Sequence, residues 1–143
     1  MRQGKYNLTA PPEIILDHLK RLKNFNELYR HKHFQGWLKN VFSWGLLGFD
    51  NSDAYHLVED RIGTLVFIRA SNLVGLIKKL VKMELSTTRG VIVGVKIPSK
   101  YGLEEVTHIQ AVFAHLLGEE ATILLQAMKN EKKIIEMYIM AIK

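Results

Sequence analysis

Four short apolar stretches limit what this chain can become. Residues 64–69 (TLVFIR), 91–97 (VIVGVKI), 122–128 (TILLQAM) and 134–142 (IIEMYIMAI) are rich in β-branched and long aliphatic side chains. At this length, bounded by polar segments, they read as buried strands. After the first, Ser71 and Asn72 stand ready to cap a helix whose Leu73, Leu76, Ile77 and Leu80 share one face. After the second, Leu103, Val106, Ile109, Phe113, Leu116 and Leu117 mark another amphipathic helix. The last two strands are separated only by the polar segment Lys129-Asn130-Glu131-Lys132, which predicts a hairpin. The order βαβαββ predicts an α/β (α+β) domain with a four-stranded mixed sheet. Most strands should run parallel, with the last antiparallel to its hairpin partner. Helices 71–84 and 102–117 should cover one face, because each has a single apolar stripe to bury.

The first third is helical in pattern. Pro11 and Pro12 followed by Glu13 suit a helix start. Ile15, Leu19 and Leu22 recur at helical spacing, followed by Phe25, Leu28 and Tyr29. Phe34, Trp37, Leu38, Val41 and Phe42 then form an apolar stripe. The segment is read as one long helix, or two with a break near 24–26. Phe34, Trp37, Leu38 and Val41 are expected to pack it on the sheet domain. Gly45 and Gly48 interrupt the pattern, and Asp50-Asn51-Ser52-Asp53 forms a loop leading into a short helix over 53–60. The chain divides into an N-terminal helical segment, 1–47, and a sheet domain, 48–143.

The 143 residues are enough for one domain that buries about two-thirds of its unfolded surface. There is no cysteine, which excludes disulfides, thiolate metal sites and a cysteine nucleophile. Residues 1–12 lack the apolar core of a signal peptide. No apolar run approaches the roughly 20 residues of a membrane span. The expected location is the cytoplasm. The net charge is +6, which favours anionic partners. Its densest stretches are Lys20, Arg21, Lys23, Arg30 and Lys32, then Lys78, Lys79 and Lys82. Such runs are most simply solvated helix faces.

Residues able to carry chemistry are few. The ten glycines are scattered, and none form a phosphate cradle between a strand and a helix. No Gly-x-Ser-x-Gly elbow occurs. The chain is therefore not expected to be an enzyme on its own, nor to hold a nucleotide or other cofactor. His108 and His115, with Glu104 and Glu119 near in sequence, are better read as hydrogen-bonded surface histidines than as metal ligands. Trp37 and Trp44 more simply pack a helix than stack on a base. Asp50 and Asp53 are the most informative carboxylates. On local sequence alone, Asp53 caps a helix and Asp50 is a solvated turn residue.

A resemblance adds a second reading of that pair. The segment Gly45-Leu46-Leu47-Gly48-Phe49-Asp50-Asn51-Ser52-Asp53 resembles the synergy loop of the FtsZ/tubulin family, Gly-Leu-x-Asn-x-Asp-x-x-Asp. Residues 35–42 resemble the end of the family's central helix. Leu85-Ser86-Thr87-Thr88-Arg89-Gly90-Val91-Ile92-Val93 resembles the family's Ser-Gly-Ala-Arg-Gly-Val-Leu-Val lead-in to a C-terminal strand. Residues 104–115, 118–125 and 131–142 follow the order of the family's next helix and last two strands. The likeness runs from about 24 to 143 and leaves out the nucleotide-binding domain. Gly48 stands where the family has asparagine, and Trp44 where it usually has proline.

In that family the nucleotide lies between two subunits, and the loop's acids polarise the attacking water. The resemblance thus implies an FtsZ/tubulin C-terminal-like domain. It implies a partner-binding loop of Gly45, Leu46, Leu47, Gly48, Phe49, Asp50 and Asp53. Asp50 and Asp53 would complement hydrolysis only in trans, on an FtsZ/tubulin-like filament. Two other readings stand beside it. One is a small basic nucleic-acid-binding protein of βαβαββ type. The other is a self-associating structural module.

Overall fold

The computed structural model describes residues 12–41, 51–85 and 87–143, with the backbone alone at 12–15 and 51–53. Four short helices come first: α1 (Pro12–Leu19), α2 (Phe25–Tyr29), α3 (Phe34–Val41) and α4 (Asn51–Val58). Then follow β1 (Gly63–Ala70), α5 (Leu73–Lys82), β2 (Gly90–Pro98), α6 (Leu103–Leu117), β3 (Thr122–Asn130) and β4 (Ile135–Ile142). The helical segment before the loop is thus broken twice rather than once at most. One break has a clear cause. The Asn24 side chain donates to the Gly63 carbonyl at 2.7 Å and accepts from the Gly63 amide at 3.0 Å. It pairs both backbone groups at the start of an edge strand, which would otherwise be left open.

The strands form one mixed sheet in the order β1-β4-β2-β3. β4 runs antiparallel to both neighbours, and β2 and β3 are parallel. β1, β2 and β3 therefore share one direction. The expected hairpin between the last two strands does not form, because β2 lies between β3 and β4. The reason lies in composition. Every residue of β2 except Lys96 is buried, so this strand needs cover on both faces and a neighbour on each edge. The segment 131–134 carries the chain across the end of β2 instead of turning back beside β3.

Alternation along the strands divides the core in two. Val91, Val93, Val95 and Ile97 of β2, with Ile135, Met137 and Ile139 of β4, face α5 and α6. Those helices contribute Leu76, Leu80, Val106, Ile109 and Phe113. Ile92, Leu124, Met140, Ile142 and Leu65 face the other way, onto α1–α4. Helices α5 and α6 cover one face as expected, and the N-terminal helices cover the other. Phe34, Trp37 and Val41 of α3 are buried there, with Leu38 half-buried at the margin. Asn72 caps α5 by accepting from the Gly75 amide at 2.8 Å.

Candidate partner-binding site

Of the loop residues singled out in the sequence, Gly45, Leu46, Leu47, Gly48, Phe49 and Asp50 lie outside the described residues. The backbone of Asp53 belongs to the first turn of α4. The described structure fixes the two helices that flank the loop.

α3 reaches the loop from the sheet. Trp37 Nε1 donates to the Ile92 carbonyl at 2.9 Å in the buried contact with β2. A Cβ at Gly94 would lie 2.9 Å from Asn40 Cβ and 3.1 Å from the Val41 nitrogen. The last turn of α3 thus rests on bare backbone at the middle of the central strand. Close approach holds the end of this helix against the sheet.

α4 leaves the loop and packs through Ala54, Leu57 and Val58, spaced as one helical face. The Leu57 side chain lies over Gly90, where an added Cβ would stand 2.8 Å from it. The outer side of α4 is tied to the turn after α1. The Arg21 guanidinium lies 4.0 Å over the Tyr55 ring, bonds the Tyr55 hydroxyl and pairs with Glu59 at 2.6 Å. Asp60 follows with φ of 62°, and the Arg61 amide returns to the Val58 carbonyl at 3.2 Å. That left-handed residue, tolerable for aspartate, turns the chain sharply from α4 towards β1.

Beside α4 lies a polar cleft of about 290 Å³, lined by His56, Leu57, Arg61, Arg89, Glu120 and Thr122. Reasoning from sequence passed over Arg61 and Arg89 as site residues. They are 28 positions apart, and only sheet register brings them near: Gly63 and Gly90 both pair with Ile142 of β4. Arg89 lay within a segment quoted for resemblance, but nothing local marked it as a binding residue.

The basic stretches are partly committed within the chain. Lys20 pairs with Asp17 at 3.3 Å, and Lys79 Nζ bonds the Arg69 carbonyl. Elsewhere, Lys132 and Arg69 approach Glu136 at 3.4 and 3.8 Å. Among the described residues no group of three or more His, Asp or Glu side chains is placed to hold a metal ion. No helix among them is long and apolar enough to cross a membrane.

A second cluster sits on the α3 side of the sheet. His33 lies 4.9 Å from the Phe67 ring, which is 4.6 Å from that of Tyr138. Desolvation, helped by Lys32 and His31, holds the His33 pKa below its ordinary value. Burial, helped by Glu136, pushes that of Tyr138 up.

No family model matches the sequence, and no curated protein does. Solved structures do. The chain superposes on an FtsZ dimer from M. jannaschii with a TM-score of 0.65 at 14% identity, covering 74% of this chain and 34% of that one. A W319Y mutant of the same FtsZ gives 0.61 at 16% identity, covering 74% and 35%. TubZ-Bt in a four-stranded filament gives 0.55 at 16% identity, covering 90% and 38%. The fold is therefore that of an FtsZ/tubulin C-terminal-like domain. The chain spans about a third of the length of these structures.

Proposed function

We propose that this chain is a non-enzymatic interaction module that caps or regulates an FtsZ/tubulin-like polymer through the acidic loop between α3 and α4. The observation that carries the reading is the fold likeness to FtsZ and TubZ, aligned over about a third of their length. Those structures are a dimer and a filament. The loop enters the reading through its sequence, Gly45 to Asp53, which resembles the synergy loop. The packing of α3 on Gly94 and of α4 on Gly90 gives that loop fixed ends.

The mechanism follows from asymmetry. An open filament grows because each subunit offers two complementary surfaces. These residues resemble the side that carries the acidic loop, and they hold no glycine-rich phosphate cradle. Docked on an exposed nucleotide face, these residues would present Asp50 and Asp53 to it and carry no phosphate cradle of their own to offer onward. Growth at that end would stop.

Nucleic-acid binding is less well supported. Among the described residues, helices pack on both faces of the sheet, so it presents no broad open face for bases. Co-sedimentation with FtsZ filaments, set against a salt-dependent gel shift with DNA or RNA, separates the two readings.

A further inference from the structure

The cleft beside α4 is lined by two guanidinium groups that the rest of the fold does not use. Among the described residues, the side chains of Arg61 and Arg89 make no ion pair and no hydrogen bond. Arg21, by contrast, is engaged by Tyr55 and Glu59. The backbones that carry the two free arginines are tightly held. The Arg61 carbonyl accepts from the Lys23 amide at 2.8 Å, and the Arg89 amide donates to the Ile142 carbonyl at 2.7 Å. The Arg89 carbonyl accepts from the Thr122 amide at 3.1 Å. Two forked cation donors thus project from fixed points into one concavity, beside the exposed Thr122 and the half-exposed wall of α4. Such a set suits a planar oxyanion.

The charge count selects which oxyanion. Arg61 and Arg89 contribute two positive charges, and Glu120 on the rim removes one. A net single positive charge matches one carboxylate. A doubly charged phosphate would meet the Glu120 carboxylate across the same small space. Another concavity, at the far end of the sheet, is lined by Lys100, Glu131, Lys132 and Lys133. It lacks a comparable pair of free forks, and its Lys132 is drawn to Glu136.

We propose that the cleft between α4 and the starts of β2 and β3 is a carboxylate notch that seats an acidic side chain of the protein on which this chain docks. The partner clause rests on the function proposed above. His56 lies five residues beyond Asn51, where α4 leaves the loop, which is about 7.5 Å along the helix. A standard interface covers about 800 Å² on each partner, a patch far wider than that distance. The acidic loop and the basic notch together give that interface a charge pattern of two signs, which fixes register as well as strength.

Titration of the chain with propionate, a singly charged stand-in for an acidic side chain, followed by ¹H–¹⁵N NMR at the arginine Nε–H groups, tests the notch without any filament. Saturable shifts at Arg61 and Arg89 are expected, with inorganic phosphate binding more weakly at equal ionic strength. Arg89→Gln should weaken propionate about tenfold, the loss of one charge-assisted contact, and Arg30→Gln should leave it unchanged. No saturable shift, unchanged affinity in Arg89→Gln, or tighter binding of phosphate overturns the notch.

Sedimentation with FtsZ filaments then tests the partner clause. Wild type that sediments while Arg61→Gln/Arg89→Gln stays in solution supports it. Equal sedimentation of both overturns the seat on the partner and leaves the docking reading standing. Failure of the wild type to sediment, with propionate binding intact, overturns the docking reading and the partner clause but not the carboxylate site.

Discussion

Trp37 donates its indole N–H to the carbonyl of Ile92 at 2.9 Å, and neither residue is accessible to solvent. This bond ties the helix before the loop to the inner strand β2. Trp37→Phe keeps an aromatic ring but loses the bond and some volume, and should destabilise the chain by about 2 kcal/mol. Trp37→Ala should cost about 4 kcal/mol. Urea unfolding followed by circular dichroism measures both, and equal values for the two variants would contradict the packing described.

Gly94 offers a sharper probe of how the loop is held. A methyl group there would press on the backbone of Asn40 and Val41 rather than on a flexible side-chain tip. Gly94→Ala should therefore displace the end of α3 and destabilise by about 1–3 kcal/mol. Gly102→Ala, where nothing lies within 4 Å of the added atom, should be far milder. If Gly94→Ala unfolds at the same urea concentration as wild type, the close approach of α3 to β2 is wrong.

Much of this arrangement was legible in the sequence because its signals are local. The periodicity of Phe34, Trp37 and Val41 marked the buried face of α3, and the apolar run at 91–97 marked a buried strand. Sheet order was not legible. The polar segment after residue 128 signals a change of direction equally well whether the next strand pairs with β3 or crosses β2, and only three-dimensional packing decides. The Asn24 clamp on Gly63 was equally hidden, since an asparagine between two helical patterns looks like any break. The site divides the same way. The acidic loop stands out as a contiguous motif, although 42–50 fall outside the described residues. Arg61 and Arg89 become neighbours of one cleft only through the register of β1 and β2 on β4.

The cluster of His33, Phe67 and Tyr138 predicts how stability changes with pH. The His33 pKa is depressed below 6.5 on folding. Below that pH the unfolded chain binds a proton that the folded chain resists, so stability should fall as acid is added, until the folded value is passed. The Tyr138 pKa is raised above 10.0. Its contribution is fully present below pH 10 and is lost as pH rises through the folded value. Thermal melts across pH 5–11 should show a plateau between these limits, and His33→Gln should flatten the acid side only. An acid limb unchanged in His33→Gln would assign the loss to other groups.

The chain alone should neither bind nor hydrolyse GTP. The scattered glycines leave no strand–loop–helix cradle for phosphates within these residues. Calorimetry with GTP and Mg²⁺ should give no heat beyond dilution. A micromolar dissociation constant for the purified chain would reveal a nucleotide site and exclude a purely accessory role.

Capping is the central claim, and substoichiometric addition to FtsZ from the same organism, with polymer followed by light scattering, tests it most directly. Each filament has one end of the required kind, so far fewer than one chain per subunit should shorten the polymer. Leu46→Asp should abolish the effect, because docking would bury an unpaired charge. Asp50→Ala and Asp53→Ala should alter GTP turnover at the capped end. A polymer signal unmoved by wild type at any ratio, or moved equally by wild type and Leu46→Asp, would contradict the account.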